Sequence, residues 1–426
     1  MANRTLASRK QTVIAIFLVI GLIYLVRLFY IQVIDKSYAL SANNNVLRYV
    51  TQYPARGLIY DRNGKLLVYN EAVYDLMVTP LQVKEIDTVE FCRLLEITYE
   101  GFLERMKKAV KYSRYKPSLF EKQISKETYG YIEEKMYRFP GFFVQPRTLR
   151  YYPKPIGAHL FGYVGEVTQG LIDKNPYYKS GDYIGISGIE KSYENMLRGI
   201  KGMKIKMVDV HNREVGSFQD GRFDSAAIMG QDLYLSIDAD LQEYGELLMR
   251  GKMGSVVAIE PSTGEILAFL SSPAYDPNLL VGRVRSKNYK LLSEDPIKPL
   301  INRAMAGTYP PGSTFKMVND LIGLQEGLLT LSVRYSCQGK TSSPIRCTHT
   351  HQSPLNVEVA IQQSCNPFHW QVFRSIISNG KHGGIRNNYV SWRNQVMSLG
   401  FGHKLGTDLQ FELSGNIPSA EKYDAI

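Results

Sequence analysis

From Val13 to Ile34 the chain is apolar at almost every position, and only Arg27 and Gln32 are strongly polar. About 20 apolar residues in a row span a bilayer core. The pattern predicts a membrane helix over residues 12–34, with Arg27 near its far end able to snorkel. Arg4, Arg9 and Lys10 precede it. Basic residues on that side put residues 1–11 in the cytoplasm and the rest of the chain outside. A signal peptide would have a shorter apolar region, about 7–15 residues, and "ALSA" (39–42) lies too far from the start of this one for a good cleavage site. The reading is an uncleaved anchor. Residues 35–53 then read as a helical stalk.

Beyond the stalk the period changes to that of hairpins and amphipathic helices. Leu58, Ile59 and Tyr60 predict a short strand, Asp61 to Gly64 a turn, and Leu66 to Tyr69 the return strand. Residues 84–140 carry helical periodicity with mixed charge, and strands follow. "GISGIEKSYENMLRGIKG" (185–202) reads as a helix between glycines. The polar stretch 220–231 marks a domain boundary. After it come a strand at 232–238, a helix at 241–250 and a hairpin at 254–272 around Pro261 to Gly264. Further on, Phe315, Val318, Leu321 and Ile322 make one apolar stripe of a helix from Ser313 to Gln325.

Charge narrows the class. The chain has 426 residues, enough for about two or three domains, and a net charge of +11 spread along its length. A basic balance suits an anionic partner: nucleic acid, a membrane surface or an acidic polymer. An exported body excludes nucleic acid, and neither zinc-finger spacing nor a Walker glycine loop is present.

"GTYPPGSTFKMVND" (307–320) carries candidate chemistry. The prolines and Gly312 stop regular structure, so Ser313 lies at a helix mouth where backbone N–H groups are free. Lys316 follows one turn on, on the same face. A hydroxyl near a positive dipole end and an amine suits a nucleophile; an N-capping serine with a solvated lysine is the structural alternative. The same spacing recurs at Ser113/Lys116 and Ser378/Lys381. A second polar group, Ser364-Cys365-Asn366, sits where Asn366-Pro367 breaks a helical run. There Ser364 could pass a proton between Lys316 and a leaving amine, and Asn366 could bond a substrate amide and the lysine. Ser41/Asn43 and Ser286/Asn288 share that spacing.

Taken in order, these segments resemble class B penicillin-binding proteins, whose signature joins Ser-x-x-Lys, Ser-x-Asn and Lys-Thr-Gly. "NRAMAGTYPPGSTFK" (302–316) is similar to the nucleophile segment, in the form of the elongation, cell-shape subgroup rather than the septal one. "RGLIYDRNGKLL" (56–67) and "GISGIEKSYENMLRG" (185–199) resemble pedestal motifs. "GSVVAIEPSTGEILAFLSSPAYDPN" (254–278) and "GFGHKLGTDLQFELSGNIPS" (400–419) resemble segments that flank the two active-site motifs. The resemblance implies a multidomain α+β protein. A pedestal of the dimerisation type would occupy 35–228. A transpeptidase domain related to serine β-lactamases, an antiparallel sheet with helices on both sides, would occupy 229–426.

The activity it implies is D,D-transpeptidation of peptidoglycan. Ser313 would be the nucleophile, Lys316 its base, and Ser364 and Asn366 the partners. No cofactor would serve catalysis. Expected partners are stem peptides ending in D-Ala-D-Ala, β-lactams, the membrane, a glycosyltransferase and other elongation proteins. The body would face the periplasmic side of the bacterial inner membrane. Lys-Thr-Gly is absent after Ser364, and Lys179-Ser180-Gly181 lies in the pedestal. The chain therefore reads as incomplete at its C-terminus and, as it stands, inactive. A β-lactam sensor or a non-catalytic scaffold is the alternative.

Three of the four cysteines, Cys337, Cys347 and Cys365, fall close together, with His349 and His351 beside Cys347. Three thiolates and one imidazole make a tetrahedral zinc set. A Cys337–Cys347 disulfide and unpaired buried thiols are the rivals. The family resemblance favours zinc, since some relatives hold one near Ser-x-Asn. Cys92 reads as core.

Overall fold

The computed structural model describes residues 2–30, 47–124, 126–179, 181–208 and 214–424. Helix α1 (Ala2–Phe29) opens the chain, with side chains exposed from Ile14 onward. Among the described residues no helix is long and apolar enough to cross a membrane. Residues 31–34 of the expected span, and 35–46 of the expected stalk, lie outside the described residues.

The first half then runs β1 (Leu47–Gln52), β2 (Ile59–Tyr60), β3 (Leu66–Val78), α2 (Thr88–Leu95), α3 (Tyr99–Tyr112), β4 (Ser118–Ile124), α4 (Lys126–Lys135) and β5 (Phe142–Tyr151). It continues with β6 (Val164–Glu166), β7 (Tyr183–Gly185), β8 (Gly202–Val208), β9 (Glu214–Ser217) and β10 (Leu233–Tyr234). The second half holds α5 (Ala239–Leu248), β11 (Gly254–Ile259), β12 (Ile266–Ser272), α6 (Lys316–Gln325), α7 (Val357–Gln362), α8 (Asn366–Ser378) and α9 (Ile385–Ser398).

Local chemistry starts the helices. Asp87 caps α2 by accepting from the N–H groups of Val89 and Glu90, and Thr98 caps α3 through Gly101. The head of this half is an aromatic core. The Phe91 ring lies 4.4 Å from that of Phe142 and 4.8 Å from that of Phe139, with Phe102 and Phe120 around it. Cys92 is buried in that core, as expected. Burying one such side chain is worth about 1.5–3 kcal/mol.

Several expectations change. The described end of the stalk, Leu47–Gln52, is a strand antiparallel to β8; its side chains pair across the ladder instead of forming a helical stripe. Residues 84–140 are not helical throughout, because β4 interrupts them. Ser113 turns the chain by accepting from the N–H groups of Tyr115 and Lys116. Pro117 follows, and Ser118, Phe120 and Ile124 then face the core. The glycine-flanked helix is two short pieces, Gly188–Ser192 and Glu194–Leu197. The strand at 232–238 shrinks to β10, which runs parallel to β2. Within the 220–231 stretch, Ser225 bridges to Met203 and Ile228 to Ile200.

At the base of this half the chain buries charge. Glu190 has zero exposure. The Arg150 Nε donates to it at 2.6 Å and an Arg56 Nη2 at 2.7 Å. Arg56 also reaches Glu194, which accepts from the Gly185 N–H and the Tyr178 hydroxyl. A Cβ on Gly185 would lie 1.9 Å from the Glu190 carbonyl oxygen, so only glycine fits. Burial alone would push the Glu190 carboxyl up; Arg150 and Arg56 outweigh it and hold the group below the usual glutamate value. The knot joins the 56–67 and 185–199 segments.

In the second half β11 and β12 form the expected antiparallel hairpin. The Gln242 side chain of α5 clamps the Phe269 backbone from both sides, at 2.7 and 2.9 Å. Among the described residues the sheet of this half has only these two strands, fewer than the sheet expected with helices on both sides. After Ser272 come Pro273 and Pro277, and the apolar period becomes helical. Helices α6 to α9 pack on a core of Ile322, Phe368, Val372, Trp392 and Val396, with Cys337, Cys347 and Cys365 part of it. Phe315, Val318 and Ile322 face that core. Leu321 is 58% exposed, because at 3.6 residues per turn it lies about a quarter turn off the stripe.

Replacing Glu190 by Gln leaves two buried guanidiniums short of charge, and breaking a buried pair costs about 3–5 kcal/mol. Since the folded Glu190 value lies below the unfolded one, its stabilisation is complete above 4.5 and is lost as the pH falls from there through the folded value. Denaturant titrations should find Glu190→Gln less stable by that amount at neutral pH and less sensitive to acid. Equal stability of the two proteins would show that the knot carries no weight.

Candidate functional site

Tyr309-Pro310-Pro311 leads into Gly312, whose φ of +62° is the left-handed region that glycine tolerates. That turn starts a 3-10 segment, Gly312–Phe315, which runs straight into α6. The Thr314 hydroxyl donates to the Pro311 carbonyl at 2.6 Å and closes the turn. Ser313 thus stands exposed at the helix mouth, and Lys316 points inward from the next turn.

The Lys316 amine donates to three oxygens of one short turn. They are the Ser364 carbonyl at 2.7 Å, the Ser364 Oγ at 3.0 Å and the Asn366 Oδ1 at 2.5 Å. The two motifs that the sequence places far apart meet here. Ser364 has φ +51°, a strained setting for a side chain other than glycine. The strain aims its carbonyl and its hydroxyl at the same amine. Cys365 beside it is fully buried, with its N–H on the Ala360 carbonyl. The Asn366 amide donates to the Arg346 carbonyl at 3.2 Å. Burial lowers the Lys316 amine below the usual lysine value, against the opposing pull of Cys365, Cys347 and Asp320.

The other Ser-x-x-Lys pairs do different work. Ser113 ends α3, and Lys381 reaches the Glu326 carbonyl. Asn288 of Ser286/Asn288 bonds the Leu279 carbonyl, and Ser41/Asn43 lies outside the described residues.

Sequence reasoning missed one pair. Asp320, one turn after Lys316, meets His369, one turn after Asn366, at 3.0 Å; both are buried. Spacings of i+4 and i+3 from the two motif residues were the signal that could have found them. The contact ties α6 to α8, the two helices that carry Lys316 and Asn366. The outer Asp320 oxygen, Oδ2, is buried without a partner among the described residues.

Below this turn the ligand atoms of Cys337, Cys347, His351 and Cys365 all lie within 4.8 Å of one another. His349 is not among them; it turns to the Thr348 hydroxyl. A zinc held at about 2.3 Å by thiolates and about 2.0 Å by imidazole sets its ligand atoms roughly 3.7 Å apart, so a slight tightening fits the ion. Other contacts agree with that donor set. His351 Nδ1 pairs with the Gln352 carbonyl at 2.9 Å, which leaves Nε2 facing the Cys347 sulfur at 3.3 Å. The Gly339 N–H donates to the Cys337 sulfur at 3.4 Å. Burial would push the Cys347 thiol up, but hydrogen bonds from the His349 backbone and His351 outweigh it and bring it to about 7. Burial pushes Cys365 up to about 12. The disulfide alternative is not formed: all four cysteines are free. Thiol titration under denaturing, metal-chelating conditions should therefore count four per chain; a count of two would restore the disulfide.

Comparison with known proteins bears on both halves. Residues 51–235 match the family described as "Penicillin-binding Protein dimerisation domain", and residues 254–425 match "Penicillin binding protein transpeptidase domain". The chain is 35% identical to the peptidoglycan D,D-transpeptidase MrdA of Acinetobacter baumannii, over 95% of this chain and 61% of the relative. It is 31% identical to MrdA of Escherichia coli K12, over 99% of this chain and 67% of the relative. The chain thus spans about two thirds or less of the length of these relatives. Its fold is similar to that in "Complex between Penicillin-Binding Protein (PBP2) and MreC from Helicobacter pylori". The TM-score is 0.68 at 24% identity, covering 88% of this chain and 69% of that one.

Proposed function

The chain belongs to the penicillin-binding proteins, in the family of the MrdA peptidoglycan D,D-transpeptidases, and from that premise we propose that the whole protein cross-links peptidoglycan during elongation through an acyl-enzyme on Ser313. The observation that carries the reading is the Lys316 amine, held by Ser364 and Asn366 one turn from the exposed serine.

In this reading Lys316 acts as the neutral base. It takes the Ser313 proton as Oγ bonds to the carbonyl carbon of the donor D-Ala-D-Ala. The Ser313 N–H at the helix mouth bonds the oxyanion. As the C–N bond breaks, the proton moves from Lys316 through the Ser364 hydroxyl to the departing D-alanine amine. Asn366 orients the lysine and the donor amide. An amine of a second stem peptide then attacks the ester and gives its proton to Lys316. Ser313 leaves as the hydroxyl, its proton returned by Lys316. A β-lactam follows the first half of this path and stays on Ser313.

The finer layout belongs to the same proposal. Residues 1–11 would form a cytoplasmic tail, 12–34 a membrane anchor, 35–228 the pedestal and 229–426 the transpeptidase portion, facing the periplasm. The apolar run of the sequence from Val13 to Ile34, with Arg4, Arg9 and Lys10 before it, supports the anchor. MreC is the partner in the matched Helicobacter pylori complex; a protein of that kind, with a glycosyltransferase, is the expected company here.

Cys337, Cys347, His351 and Cys365 would hold a zinc whose role is structural, with no open coordination position. It would cross-link the 337–351 loop to the turn that carries Ser364 and Asn366. The ligands bind deprotonated, so occupancy should fall in mild acid.

Labelled penicillin should acylate Ser313 in the full-length protein, and Ser313→Ala should abolish the label. Ser364→Ala and Asn366→Ala should each slow acylation by about 10²-fold or more. The acylation rate should rise with pH and level off below the ordinary lysine value of 10.5, because neutral Lys316 is reached early. Label that survives in Ser313→Ala would refute the assignment.

Metal analysis of the purified protein should find about one zinc per chain, lost in Cys365→Ala. Chelation should lower the unfolding temperature of the parent and leave that of Cys365→Ala unmoved. Metal-free protein with unchanged penicillin labelling would dismiss the zinc.

A further inference from the structure

Apart from the residues around Ser313 and Ser364, a small open groove lies between the base of the first half and the segment after β12. Beside Pro54, Asn70, Leu149, Val164 and the carboxylate of Asp182, two residue kinds dominate its wall. Tyrosines 53, 177, 178 and 183 supply ring faces, and arginines with one lysine supply charge.

Most of that charge is matched. Arg56 and Arg150 belong to the Glu190 knot, Arg147 lies 2.8 Å from Asp75, and Lys201 pairs with Asp182. Arg198 and Arg285 are different: among the described residues neither has a carboxylate partner. Arg198 lies over the Tyr177 ring, 3.9 Å from its centroid, and donates to the Tyr178 hydroxyl at 3.0 Å. Arg285 is cradled by Gly165, where a Cβ would meet its Nη1 at 2.1 Å. At the back of the groove Arg150 is only 4% exposed, and its Nη2 is buried with no hydrogen-bond partner. An unmade bond on a buried charged group is costly, and a ligand anion would complete it.

We propose that this groove binds a small anionic sugar, a pyranose that carries a carboxylate or a phosphate. Guanidinium forks match both anions in a bidentate way. The tyrosine rings and hydroxyls suit a sugar's flat face and its rim. Because Val281, Gly282 and Arg285 come from the segment after β12 and the remaining wall from the first half, an occupant would clamp the two halves together. The proposal stands apart from the acyl-transfer reading.

Calorimetric titration of the full-length, detergent-solubilised protein tests it. Glucuronate and glucose 6-phosphate are the probes and neutral glucose is the control. At least one charged sugar should bind saturably, with a Kd at or below about 1 mM, and glucose should not. Which of the two binds identifies the anion. Arg198→Ala and Arg285→Ala should each weaken binding about tenfold or more, the loss of a charge-assisted pair. Gly165→Ala should weaken it too, since the added methyl displaces Arg285 with no change of charge. Unfolding temperatures that match the parent's show that the variants fold; if Arg198→Ala does not, Arg285→Ala and Gly165→Ala decide. Failure of both charged sugars to saturate, equal binding of glucose, or undiminished binding by the folded variants overturns the proposal.

Discussion

The site depends on one amine kept partly out of water. The Lys316 amine lies within hydrogen-bond reach of three oxygens that all come from the turn 364–366. That turn is strained at Ser364, so something must hold it. Two things do. Cys365 is sunk in the core beside Cys337 and Cys347, and the Asp320–His369 contact locks α6 to α8 one turn below. The core residues Ile322, Phe368 and Val372 supply the burial that offsets the strain. The same burial shifts the lysine toward its neutral form.

The first half solves a harder charge problem by the opposite means. Glu190 is removed from water altogether and survives as a carboxylate because Arg56 and Arg150 go with it. A lone carboxylate there would take up a proton. The knot ties together strand, loop and short helices that also share an apolar core of Ile59, Val68, Tyr152, Ile189 and Leu197. It also leaves one Arg150 nitrogen buried without a hydrogen-bond partner, and Arg150 lines the groove, so the stabilising cluster and the candidate anion site share a residue. Meanwhile Tyr193 crosses to the second half, where its hydroxyl donates to Asp408 at 2.6 Å, and His159 meets the Pro299 carbonyl at 2.7 Å.

Elements decided by nearby residues were legible in the sequence. The β11–β12 hairpin follows from its turn residues, α2 and α3 from the helical period of residues 84–140, and the Ser313 helix from Pro-Pro-Gly and an apolar stripe. Elements decided by distant partners were not. The strand Leu47–Gln52 exists because β8 lies beside it, and β10 because β2 does. The helical period of its flanks runs on through Ser118–Ile124, but β3 across the ladder makes it a strand.

The candidate site divides along the same line. The sequence alone picked out the candidate residues. Ser313 and Lys316 are one helical turn apart, Ser364 and Asn366 bracket a break in a helix, and three cysteines with two histidines crowd one loop. Spacing along a chain dictates which side chains share a local face. It says nothing about what faces them across the core. Only the tertiary structure brought Lys316 to Ser364 and Asn366, chose His351 over His349, paired Asp320 with His369, and opened the groove that holds Arg198 and Arg285. Each is a contact between segments far apart in the chain, set by how helices and strands pack to bury their apolar faces.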